Sequence, residues 1–172
     1  RTLMSDCFFT APIKIAKPFC YKDYTEIMMM TVSAGILEGD FYDIEIEVCE
    51  KSALKFTGQS YTKLFKSSDK GASQKVMLTV KDGAKLLYFP TPIIPFGDSI
   101  FQSKTEVHLS GQSKFVMLDV ISCGRKAMNE EFRFKYYRSR TAVYIDGVLS
   151  FLDNQRLAPE ETALGGVGFF EG

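Results

Sequence analysis

Apolar and polar residues alternate with period two along much of the chain. Tyr42, Ile44, Ile46 and Val48 fall on one side of a segment whose other side carries Asp43, Glu45 and Glu47. That is the pattern of a strand with one buried face. Val76, Leu78 and Val80 alternate with Lys75, Met77 and Thr79 in the same way. A helical spacing is sustained almost nowhere, and the best case, residues 61–66, is too short to hold a helix alone.

Three stretches repeat one theme. Val48 is followed six residues later by Leu54, Val80 by Leu86, and Leu109 by Phe115, each time through a short polar turn. The copies are 32 and then 29 residues apart. A strand-turn-strand unit recurring at such an interval marks stacked coils or layered hairpins, in which each copy buries its apolar face against the next. The expected fold is all-β, a β-solenoid or β-helix-like stack of layered sheets with few short helices. A plain set of strands joined by Gly, Ser and Asp turns is the alternative, and the class is the same.

Turn chemistry agrees with short strands. Asp146-Gly147 lies between two apolar runs, 142–145 and 148–151, and predicts a hairpin with a type I′ turn. Pro90, Pro92 and Pro95 remove amide donors from 89–97, which is expected to be a loop or a sheet edge. The glycine-rich run 165–170 has no evident strand partner and reads as a flexible or truncated terminus.

Composition narrows the function. Of 172 residues, 45% are apolar and 24% charged, as in an ordinary folded domain, and one domain over 1–172 accounts for the chain. Basic and acidic side chains balance at 21 each, so no surplus of cations offers itself to nucleic acid. No apolar stretch is long enough to span a membrane or serve as a signal peptide, and Cys7, Cys20, Cys49 and Cys123 form no paired motif. A reducing, cytoplasmic location is expected. Arg1 in place of an initiator methionine points to a fragment.

Candidate chemistry is sparse. His108 is the lone histidine, which leaves no room for a cage of imidazoles. A Cys123–His108 dyad is the one enzymatic arrangement to weigh, although His108 alternates with Val107 and Leu109 and belongs on the solvent face of a strand. Gly35 and Gly39, followed by Asp40, imply a sharp bend that either presents the carboxylate or uses it to cap backbone amides. Residues 57–63, with Gln59 and Lys63, replace apolar alternation with small and polar groups suited to a cavity wall or a partner. Asp119 interrupts the apolar run 115–121, and Arg125 is its nearest candidate partner, with Glu130 and Glu131 close behind.

Taken in order, Gly35-x-x-x-Gly39-Asp40, Thr57-x-Gln59-x-x-x-Lys63, Pro92-x-Ile94-Pro95-Phe96, Gly124-Arg125 and Glu130-x-Phe132 resemble the urease accessory proteins of the UreD/UreH family. The resemblance extends from Phe8-Phe9-Thr10 to Tyr144 and Asp153. It implies a non-catalytic maturation factor, with no catalytic residues, that binds urease apoprotein and accessory proteins F and G and helps deliver nickel. It also implies a mainly β fold, nickel in transit rather than a tightly bound cofactor, and no nucleic-acid or membrane partner. Asp40 and Asp119 stand at the matching positions of a carboxylate-lined path. Gly35, Gly39, Gln59, Lys63, Pro95, Phe96, Gly124, Arg125 and Glu130 would shape its walls or support partners. Family members continue past the equivalent of Gly172, so a C-terminal truncation is expected. The competing expectations are a β-solenoid scaffold without a metal role and the Cys123/His108 enzyme.

Overall fold

The computed structural model describes residues 2–164 and Gly166, so most of the 165–170 run lies outside the described residues. In chain order the strands are β1 (Ile13–Ile15), β2 (Phe19–Cys20), β3 (Thr25–Thr31), β4 (Phe41–Val48) and β5 (Ala53–Gly58). There follow β6 (Thr62–Leu64), β7 (Ala72–Val80), β8 (Lys85–Phe89), β9 (Ile93–Pro95) and β10 (Ile100–Leu109). The last are β11 (Lys114–Met117), β12 (Gly124–Arg125), β13 (Glu130–Glu131), β14 (Tyr136–Ile145) and β15 (Val148–Leu157). Among the described residues, one 3₁₀ turn at Lys126–Met128 is the sole helical element.

These strands form a β-solenoid-like stack, as the repeats predict. The chain winds past three faces in turn. Strands β4, β7, β10 and β14 run parallel on the first face, and β15 closes it antiparallel. Strands β3, β5, β8 and β11 run parallel on the second, with β1 and β2 antiparallel to β3. The third is narrow: β6 pairs with β9, and single bridges Ile36–Leu64 and Ile93–Ile121 extend it. Val48, Val80 and Leu109 stand in one row of the first face, and Leu54, Leu86 and Phe115 in one row of the second. The repeat interval is therefore the length of a coil.

The difference between 32 and 29 residues has a location. Phe56 to Leu64 is eight residues where Tyr88 to Pro95 is seven, and Leu64 to Val76 is twelve where Pro95 to Thr105 is ten. The longer coil spends its extra residues around 59–61 and 66–71. Carboxylates stitch successive turns together: Asp82 accepts the Gln112 N–H at 2.7 Å, and Asp146 accepts the Gly111 N–H at 3.1 Å.

Where strands run through the middle of the stack, their inward positions are mostly apolar, with Thr105 and the Gln74–Ser103 row as polar exceptions. Val76, Leu78, Val80, Val107 and Leu86 have no exposed surface and pack with Leu54, Phe56 and Tyr88 between the first two faces. A second core of Ile36, Leu64, Phe101, Phe134 and Tyr137 lies toward the third face.

Local expectations fare unevenly. Strands β14 and β15 make the expected hairpin, and Asp146 (φ 49°) and Gly147 (φ 81°) carry the two positive φ angles a type I′ turn needs. Residues 61–66, too short for a helix, hold none: Thr62–Leu64 is the strand β6, held in the third face by β9. The proline segment is only partly loop. Ile93–Pro95 pairs with β6, and its prolines fit because Pro92 only accepts, from the Thr62 N–H at 2.9 Å.

Candidate polar seam

The two cores are separated by a row of polar side chains. Tyr42, Gln74, Ser103, Ser139 and Gln155 are register partners across β4, β7, β10, β14 and β15. They share the inward parity of Ile44, Val76 and Val107, so the row faces the interior until it reaches Gln155, which is exposed at the edge strand β15. With strands about 4.8 Å apart, it traverses roughly 19 Å along the stack. Tyr42 and Ser139 are 6% and 3% exposed.

Each end of the seam opens into a cavity. The first, about 450 Å³, is lined by Tyr42 and Gln74 together with Gln59, Lys63, Ile36 and Met29. The second, about 290 Å³, is lined by Asp119, Asp153, Gln155 and Thr141 with Phe115 and Phe151. It exists because the first face extends two strands, β14 and β15, beyond the last strand of the second, β11.

Asp119 sits just past β11. Ser139 Oγ donates to its Oδ2 at 3.1 Å, tying the two faces together across the seam. The surrounding protein disfavours its charge and the Asp153 carboxylate adds repulsion, so its pKa is raised despite the Ser139 bond and a backbone bond from Val120. The carboxylate nevertheless keeps contact with solvent through the cavity mouth, which limits that shift. The phenol of Tyr88 is pushed upward by burial and then by the Asp119 charge.

The expected ion pair between Asp119 and Arg125 does not form. Arg125 turns to Glu130 on the neighbouring strand, with Nε donating to Oε2 at 2.7 Å and a second bond completing a bidentate fork. Its guanidinium also covers the Phe96 ring, 4.0 Å from the centroid. Glu130 takes the Gly97 N–H at 3.2 Å, and Arg125 first, then that amide, holds its pKa down. Asp119 is left to a hydroxyl because it lies on the second face, whereas Arg125 belongs to a separate two-stranded pair with Glu130.

The glycine and aromatic motif residues gather on the third face. A Cβ on Gly35 would run into the Lys63 carbonyl, which accepts the Ile36 N–H at 2.8 Å, and one on Gly124 would run into the Glu130 carbonyl. Pro95 is buried beside Leu64, and Phe96 meets Phe65 edge-on at 5.1 Å. Gln59 and Lys63 line the first cavity, as residues suited to a cavity wall should. Gly39, with φ 83°, makes the bend after which Asp40 caps its own turn, accepting the Leu37 N–H at 2.8 Å. The Asp40 charge also reaches Tyr42, whose phenol is raised chiefly by burial. Asp40 and Asp119 are therefore not neighbours; they stand near opposite ends of the seam.

Cys123 and His108 are not brought together as a dyad. The imidazole lies flat on Tyr144, 5.1 Å between centroids, on the outer side of the first face, while the Cys123 carbonyl accepts the Phe132 N–H beside β12. Among the described residues, no cluster of three or more His, Cys, Asp or Glu is placed to hold a metal ion. No helix among them is long and apolar enough to cross a membrane.

Sequence reasoning missed Gln74, Ser103, Ser139 and Gln155. A signal was present: Tyr42, Gln74, Ser103 and Ser139 each precede the row Val48, Val80, Leu109 and Ile145 by six residues. Superposing the repeats would have shown polar residues recurring at one inward position.

Comparison with known proteins follows the same lines. The UreD urease accessory protein family matches residues 1–172. A urease accessory protein UreD of Acetivibrio thermocellus is 43% identical over all of this chain and 66% of its own length. A urease accessory protein UreH of Helicobacter hepaticus is 36% identical over 99% of the chain and 68% of its own length. One from Helicobacter pylori strain G27 is 32% identical over all of the chain and 65% of its own. The chain spans about two thirds of the length of these relatives.

Proposed function

We propose a function from one premise: this chain belongs to the UreD family of urease accessory proteins. It serves in the maturation of urease, as a non-enzymatic factor that binds urease apoprotein and accessory proteins F and G. Nickel is its cargo, passed on in the cytoplasm rather than kept as a cofactor. Residues 1–172 act as one domain, a reading supported by two cores that adjoin along a single stack.

The observation that carries this reading is the polar seam. A divalent ion cannot cross an apolar interior, because the lost hydration has no replacement. A row of hydroxyl and amide groups between two cavities supplies oxygen contacts along the way. Asp119 and Asp153 line the end where two carboxylates repel each other, and a passing cation relieves that repulsion. Two carboxylates without histidine or cysteine hold a transition metal loosely enough to release it. Asp40 influences the other end through Tyr42. Gly35 and Gly124 keep the coils close, Gly39 turns the chain at a positive φ, and the Arg125–Glu130 fork with Phe96 stiffens the third face beside them.

The test uses the complete gene product carrying Asp119→Asn with Asp153→Asn. Nickel-dependent urease activation should fall at least tenfold while urease apoprotein and accessory protein F are still pulled down. Unchanged activation would sink the nickel path. Loss of pull-down together with activation would favour a scaffold without a metal role, the reading that the exposed apolar side chains of β15, Val148, Phe151 and Leu152, recommend.

A further inference from the structure

We infer that the 450 Å³ cavity at the Tyr42 end of the seam is a carboxylate-binding site. None of its lining residues is acidic, and its one formal charge is Lys63, whose ammonium has no ion-pair partner among the described residues. Two side-chain amides, Gln59 and Gln74, line the same space and each offers two N–H donors. Tyr42 forms part of the wall, 6% exposed, and its buried hydroxyl closes no well-aligned hydrogen bond, although the Ser33 hydroxyl of the same wall is near enough to act on it. An acceptor held in the cavity would give that hydroxyl a better-aligned bond.

The donor set selects the class of ligand. A divalent cation needs anionic oxygens, and none lines this cavity, so this end of the seam differs in kind from the Asp119–Asp153 end. The site needs an acceptor with about one negative charge to match Lys63. A carboxylate meets that need with two oxygens, enough for an ammonium and a pair of amides. A phosphate dianion would leave one charge unmatched, with no arginine at hand. Met29 and Ile36 give the alkyl part of an acid an apolar wall. Asp40 acts on Tyr42 but does not line the cavity, and one of its oxygens is engaged by the Leu37 N–H. The carboxylate belongs either to a free small acid or to an acidic side chain of a bound peptide. The cavity is also the far end of the proposed nickel path, which no anionic oxygen of the chain lines, and a carboxylate held there would supply one; the inference does not need that path, and its test uses no nickel.

The test is an NMR titration of this chain, following the side-chain amide signals of Gln59 and Gln74. The probes are sodium acetate at constant ionic strength against sodium chloride, and an end-blocked pentapeptide with a central Glu against its Gln counterpart. Saturable shifts with acetate or with the Glu peptide, absent with chloride and the Gln peptide, are expected. Lys63→Gln, at an exposed side chain that folding does not require, should weaken binding about tenfold, the worth of one charge-assisted bond. Tyr42→Phe should weaken it about fivefold. Saturation by acetate at concentrations no higher than the Glu peptide needs identifies a free acid; tighter binding of the Glu peptide identifies a peptide side chain. No saturation by either probe, or binding that Lys63→Gln leaves unchanged, overturns the inference.

Discussion

Ser139 and Asp119 join the two main faces of the coil by a 3.1 Å hydrogen bond across the seam. The bond stands where the apolar core gives way, and it places a carboxylate beside a second one, Asp153, in an open cavity. Asp119 is there at a cost to folding, which gives a first prediction.

The carboxyl of Asp119 has a raised pKa in the fold, first from desolvation and then from the Asp153 charge, against an ordinary value of 3.8. For an acid shifted upward, the protonated form favours the fold. Its stability contribution is present below 3.8 and is lost as pH rises through the folded pKa. Asp119→Asn should therefore raise the melting temperature modestly at pH 7, with the gain vanishing below about pH 4. A variant less stable than the parent at pH 7 would show that the Ser139 bond outweighs the desolvation.

Glu38 gives the opposite sign. Its carboxylate accepts the N–H groups of Ser68, Asp69 and Lys70 at 3.2, 3.1 and 3.0 Å and the Ser68 hydroxyl at 2.8 Å. Those bonds, the Ser68 hydroxyl first, lower its pKa from 4.5 to about 2. Its stabilisation is present above 4.5 and is lost as pH falls toward 2. Glu38→Gln should flatten the pH dependence of unfolding in that window. Identical pH profiles for parent and variant would show that these bonds do not stabilise the fold.

Leu78 lies at the centre of the stack with no exposed surface. Leu78→Ala removes three buried carbons and leaves a cavity between two β faces, at a cost of about 2–5 kcal/mol. In a chain of this size each kcal/mol lowers the melting temperature by roughly 2–4 °C. Denaturant unfolding checks the free energy directly, and a loss below about 1 kcal/mol would mean that the coils close over the space.

Gly35 combines crowding with backbone strain, whereas Gly39 carries the strain alone. A methyl at Gly35 meets the Lys63 carbonyl and the Phe65 ring, whereas one at Gly39 meets open space at a positive φ. Gly35→Ala should cost about 1–3 kcal/mol through overpacking and displace the β6 edge of the first cavity. Gly39→Ala should cost about 1 kcal/mol of conformational strain and leave the cavity alone. Chemical-shift changes at Gln59 confined to the Gly39 variant would contradict this assignment.

Much of the stack is legible in the sequence. Val48, Val80 and Leu109 announced themselves as one row because coils that bury the same face must repeat the same inward residues. The hairpin at Asp146-Gly147 was legible because its turn requires two positive φ angles. The strand within residues 61–66 was not legible, because a three-residue strand on a narrow face has too few positions to display a period. Arg125 was matched to Asp119 by nearness along the chain, whereas the coil carries Asp119 toward β14 and leaves Arg125 opposite Glu130.

By itself the sequence determined the all-β class, the coil length, the turns and the family. Those properties are written locally or recur at a regular interval, and burial enforces them at every copy. Only the tertiary structure decided that Tyr42, Gln74, Ser103, Ser139 and Gln155 form a single seam, and that its two ends differ in charge. Residues brought together there come from strands about thirty positions apart along most of the chain. Their chemistry depends on neighbours that only the stacking of the coils supplies.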